Sequence, residues 1–105
     1  ERAGTLPVYS LVRLCYSGQY TENEMIKKIN GKAGLIAYLG TGDLRVVEQR
    51  IATGDRRAAE VYMAMIYQIG KEVGAMAAVL HGNVDGIILT GGISYDTYVV
   101  QRLRK

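Results

Sequence analysis

Cysteine, histidine and proline occur once each in these 105 residues, and phenylalanine and tryptophan not at all. With Cys15 alone, no disulfide framework is possible, and a reducing cytoplasm is the natural setting. One histidine, His81, does not make a metal site; it sits where a positive charge helps a helix C-terminus. The longest apolar run, "VGAMAAVL" at 73–80, is far too short to cross a bilayer. The formal net charge of +3 is small and scattered, part of it in the terminal "QRLRK", so it is no nucleic-acid footprint. Neither G-x-G-x-x-G nor G-x-x-x-x-G-K-[ST] occurs, which removes the fingerprints of Rossmann and P-loop sites. Internal repeats and low-complexity tracts are missing. No initiator Met and no charged-then-apolar leader is seen, and Glu1 and "QRLRK" read as the ends of a piece of a longer protein.

What is present is a half-hydrophobic chain, 49% by count, long enough for one small domain over residues 1–105. Pro7 fits the first turn of a helix whose Val8, Leu11, Val12 and Cys15 share a face, with Cys15 as a small core residue; Gly18 ends it. "TENE" at 21–24 is a capping box, Thr21 as N-cap and Glu24 reaching back, for a helix to about Asn30 that Gly31 stops. Leu35 to Leu39 is a short apolar segment that fits a strand or a helical turn equally. Asp43 caps a short helix through Ile51. Asp55 caps the longest element, to about Leu80, with Ala58, Tyr62, Met65, Ile69, Val73, Met76 and Leu80 as its stripe. "DRR" at 55–57 reads as a solvated helix start. Gly70, Gly74 and Ala77 make a second stripe that lets another helix approach. Beyond Glu72 this helix is apolar all round and is expected to be buried. His81 and Gly82 close it. Of the eight tyrosines, Tyr62 and Tyr67 fall at helical spacing and read as core or interface.

"VDGIILTGG" at 84–92 then reads as a strand apolar on both faces, as in a parallel sheet covered on both sides, with a final helix from about Tyr95. The fold class is therefore α/β and helix-rich, with one or two strands of an incomplete sheet. Residues outside this chain, or another chain, must complete it.

Two glycine clusters are candidate sites. Gly91-Gly92 follows the expected strand and precedes a helix, where open α/β sheets bind ligands. Exposed N–H groups there favour an anion such as a nucleotide phosphate, and missing Cβ atoms let a base or ribose lie on the backbone. A tight turn without a ligand is the other reading. In "GTGDLR" at 40–45, an acid at a loop–helix junction can accept from ribose hydroxyls, and an arginine can stack on a base or meet a phosphate. Alternatively, Asp43 only caps its helix and Arg45 is solvated.

The stretches "GTLPVYSLVRLCYSG", "GLIAYLGTGDLR", "IYQIGKEVGAMAAVL" and "VDGIILTGGISYD" resemble, in order, segments of the butyrate kinase branch of the acetate kinase family. That family lies in the superfamily of actin-like ATPases and sugar kinases. The resemblance covers essentially the whole chain and implies part of the C-terminal, nucleotide-binding lobe of a much longer kinase, a partial ribonuclease H-like domain. The implied activity is reversible, ATP-dependent phosphorylation of butanoate to butanoyl phosphate, with ATP or ADP, Mg²⁺ and a short-chain carboxylate as partners. By the same resemblance, Gly91, Gly92 and Ile93 would hold adenosine and inner phosphate, and Asp43 and Arg45 would lie beside the adenosine. Acetate kinases continue their glycine turn with Glu-Asn-Ser. Ser94, Tyr95 and Asp96 stand here instead, which favours the butyrate branch and leaves these three without an implied role. The family's phosphate loops, metal-holding acids and carboxylate-side arginine lie in segments this chain does not contain. No catalytic or metal residue is therefore named, and the isolated piece is expected to be inactive. A homo-oligomer, formed through the helix at 55–80, is also implied. The alternatives are a helical interaction module of an actin-like-fold protein, or another carboxylate or sugar kinase of the superfamily.

Overall fold

The computed structural model describes residues 2–104, and every regular element among them is helical apart from an isolated antiparallel bridge between Arg2 and Asn30. The chain divides after Asp43 into two compact units.

The first unit holds α1 (Val8–Cys15), α2 (Glu22–Ile29) and α3 (Leu35–Leu39). Helix α2 starts where its capping box places it. The Thr21 hydroxyl accepts from the Glu24 N–H at 3.3 Å, while the Glu24 carboxylate accepts from the Thr21 N–H at 2.7 Å. The chain before α1 is tied to the end of α2 by the Ala3 N–H, which donates to the Ile29 carbonyl at 2.9 Å. The segment 35–39, open between strand and helix in the sequence, is a short helix. Gly40 stops it at φ 75, a left-handed conformation that lets its N–H reach back to the Ile36 carbonyl. Met25, Ala33, Leu35 and Leu39 are buried. Leu6, Leu11, Leu14, Met25, Ile29 and Ala37 are among the residues lining an apolar groove of about 380 Å³.

Cys15 is exposed, not a core residue. The face of α1 that turns inward carries Ser10, Leu11 and Leu14 with Pro7, so Val8, Val12 and Cys15 lie to one side of it. Leu11 belongs to both faces, and the pattern alone did not fix the rotation of so short a helix.

The second unit holds α4 (Leu44–Ala52), α5 (Arg56–Val79), a 3₁₀ turn (Gly92–Tyr95) and α6 (Thr97–Leu103). Helix α5 packs on α4 and on α6. Asp55 caps α5 as expected, its side chain accepting from the Ala58 N–H at 2.9 Å. It is not merely solvated. The Arg50 guanidinium donates to it at 2.8 Å and fixes the corner between α4 and α5. The core is Val47 from α4, Ala58, Tyr62 and Ile66 from α5, and Val99 from α6. Burying each large side chain of this kind contributes about 1.5–3 kcal/mol before entropy is counted.

The N-terminal half of α5 follows its stripe; the C-terminal half departs from expectation. Met76, Val79 and Leu80 are exposed, Val79 to 68%. The apolar pattern was read correctly, but no described residue of this chain covers that end. The expected strand meets the same shortage. Among the described residues there is no β-strand: 84–90 is irregular chain, and Ile88 is 93% exposed. A strand exists only against a neighbour's N–H and C=O groups, and none is offered here. The last helix begins at Thr97, two residues later than expected, because Asp96 is its N-cap.

Candidate functional site

Past Leu80 the chain turns through His81, at φ 52, and Gly82, then runs irregularly to Thr90. Gly91 follows at φ 76 and ψ −173. That combination is open in practice only to glycine, since a Cβ clashes with its own backbone there. Gly92 has no such constraint: it opens the 3₁₀ turn, and a Cβ added to it would meet nothing within 4 Å. The two adjacent glycines thus have different reasons to be there. The first makes the bend; the second leaves open space beside the backbone. Both are exposed, and Ile93 is half-buried.

Local bonds hold the turn. The Gly91 carbonyl accepts from the Ser94 N–H at 3.1 Å and from the Ser94 hydroxyl at 2.7 Å. The Asp96 N–H donates to the Ile93 carbonyl at 3.1 Å. Asp96 is the one charged side chain buried among the described residues. Its carboxylate accepts from the N–H groups of Tyr98 and Val99, both at 3.0 Å, and from the Tyr62 hydroxyl at 2.5 Å. Burial disfavours the charge on Asp96, but the bonds from Tyr62, Val99, Glu48 and Tyr98 outweigh it and hold the carboxyl below its ordinary range. Glu48 of α4 goes the other way. Burial raises it first, and the charge of Asp96 and the proton shared with it raise it further. Burial also raises Tyr62, followed by its bond to Asp96 and the nearby carboxylates. Tyr62 therefore stays a neutral donor, Asp96 the charged acceptor, and Glu48 the carboxyl that more readily keeps its proton.

The residues of the second candidate cluster belong to different units. Asp43 ends the first unit, half-buried, with its N–H donating to the Thr41 hydroxyl at 3.1 Å. Arg45 is exposed in the first turn of α4. Three residues further along that helix, on the same side, is Glu48. Glu48 and Asp96 influence each other's protonation, Glu48 being raised and Asp96 lowered.

The sequence reading missed Glu48, the polar role of Tyr62, and Asp96. An Asp three residues before Val99 and four before Val100 was a usable capping signal. No spacing rule, however, could join Tyr62 to a partner 34 residues away. Among the described residues no three His, Cys, Asp or Glu are grouped so that they could hold a metal ion. Nor is any helix long and apolar enough to cross a membrane.

The sequence profile of the acetokinase family matches residues 2–104. A probable butyrate kinase of Bacteroides thetaiotaomicron is 50% identical over 105 residues, which is all of this chain and 30% of that protein. The crystal structure of Porphyromonas gingivalis acetate kinase matches the fold with a TM-score of 0.87 at 30% identity, covering 97% of this chain and 26% of that one. The chain spans less than a third of the length of these relatives.

Proposed function

The chain belongs to the acetokinase family, and from that premise we propose that it is part of the nucleotide-binding, C-terminal lobe of a butyrate kinase. The whole enzyme would pass the γ-phosphoryl group of ATP to butanoate and back, in the cytoplasm. Acetate kinase is the nearest alternative, and Ser94-Tyr95-Asp96 after the glycine turn favours the butyrate branch. This piece supplies the adenosine side: Gly91, Gly92 and Ile93 form the turn against which nucleoside and inner phosphate lie, with Asp43 and Arg45 beside the adenosine. Any Mg²⁺ accompanying ATP is held by residues outside these.

The observation that carries the reading is the division of labour between the two glycines. Gly91 is required by backbone conformation, whereas Gly92 is not, and close approach of a ligand would account for the second. In the full-length enzyme, Gly92→Val should abolish ATP binding by calorimetry and leave the circular dichroism unchanged. Butanoate should exceed acetate as substrate in a hydroxamate assay. A folded Gly92→Val enzyme with normal ATP affinity would remove the turn from the nucleotide site.

A second reading has its own observation. Gly70 and Gly74 have nothing near them, and Met76, Val79 and Leu80 beyond them are exposed. Helix α5 is therefore also proposed as a contact surface for a homo-oligomer, which coexists with nucleotide binding.

A further inference from the structure

Asp96 makes more bonds than a helix cap needs. The N–H groups of Tyr98 and Val99 satisfy capping by themselves. The third donor, the Tyr62 hydroxyl, comes from the middle of α5 and is 1% exposed there. Its ring stacks on Tyr98 at 5.7 Å between centroids, a contact that phenylalanine would make equally well. Burying a hydroxyl and a carboxylate together is costly unless they bond each other, as these two do. What the bond adds is a fixed link from the longest helix to the residue that ends the glycine turn. Ser94 supplies the matching restraint at the other end by closing two bonds onto the Gly91 carbonyl.

We propose that Tyr62, Asp96 and Ser94 are positioning residues that hold the Gly91–Tyr95 turn in its nucleotide-receiving shape, with the Tyr62–Asp96 bond anchoring that turn to α5. This rests on the assignment of the turn to the nucleotide. It gives a role to positions 94 and 96, where this chain departs from the acetate kinase pattern. A charged acceptor with a neutral donor makes the bond stronger than a neutral pair, and the opposite displacements of Asp96 and Tyr62 keep it so at neutral pH.

The test uses the full-length enzyme with Tyr62→Phe, Asp96→Asn and the double variant. Each single change should raise the ATP dissociation constant about tenfold, the scale of one lost bond to a charged group. The KM for the carboxylate should stay unchanged. The double variant should bind ATP no more weakly than the weaker single variant, because Tyr62→Phe removes, and Asp96→Asn leaves uncharged, the same bond. Ser94→Ala should shift ATP affinity in the same direction and carries the test with Tyr62→Phe if Asp96→Asn does not fold. A lowered thermal midpoint with unchanged ATP affinity in Tyr62→Phe would overturn the proposal and leave the bond as packing only. Gly92→Val separates the two levels. If it binds ATP normally, the nucleotide assignment fails and this proposal with it. If it loses ATP while Tyr62→Phe does not weaken binding, the positioning role alone fails.

Discussion

At the scale of single residues, two neighbours with the same side chain differ most. Gly91→Ala forces a Cβ into a backbone region that glycine alone occupies at ease, and should cost on the order of 1–3 kcal/mol of stability. Gly92→Ala should leave the thermal midpoint nearly unchanged, because its Cβ has open space. Thermal melts of the two variants check the contrast, and equal losses would mean that φ is not what selects glycine at 91. The glycine pair itself was legible from the sequence, because two glycines after an apolar run have few uses. The φ of 76 that makes glycine necessary at 91 was not, since it is a property of the folded backbone. Asp96 and Glu48 were illegible for a related reason: each owes its state to partners brought by another helix.

At the scale of elements, local chemistry was the readable part. The capping box at Thr21 and Glu24, the cap at Asp55 and the close at His81 and Gly82 all lie where short-range signals place them. Thr21→Ala should therefore destabilise α2 by about 1 kcal/mol, the usual value of a side-chain cap. Hydrogen exchange at the amides of 22–25 is the sensitive readout, and unchanged protection there would show that tertiary contacts, not the cap, hold the first turn. Rotation about the helix axis was less readable. In α1 an eight-residue pattern allowed two faces, and the packed one includes Leu14 rather than Cys15. The distal half of α5 and the segment at 84–90 are as apolar as their pattern predicts, and no described residue covers them, because pattern states what a segment needs and not whether this chain provides it.

At the scale of the whole molecule, the carboxylates set the response to pH. Asp96 lies below its ordinary range in the folded state, so its contribution is present above that range and is lost as pH falls through the lowered value. Glu24 and Asp55 are lowered too, by backbone N–H donors first, and act in the same direction. Glu48 is raised, so its contribution is present at low pH and fades as pH rises, which partly offsets the others. In the full-length protein, the gap in thermal midpoint between wild type and Asp96→Asn should be widest near neutrality and close as pH drops through the carboxylate range. A gap constant with pH would mean that the charge on Asp96 is not what stabilises.

The bare segment around Ile87 and Ile88 carries a practical consequence. Two β-branched side chains lie in the open on an irregular, exposed stretch of backbone, close in sequence to the uncovered end of α5. Such a stretch is adhesive: it pairs with whatever extended chain arrives first, including its own copy in a neighbouring molecule. Solubility of any excised piece is therefore governed by whether the cut leaves this stretch its matching edge, and much less by where the helices stop.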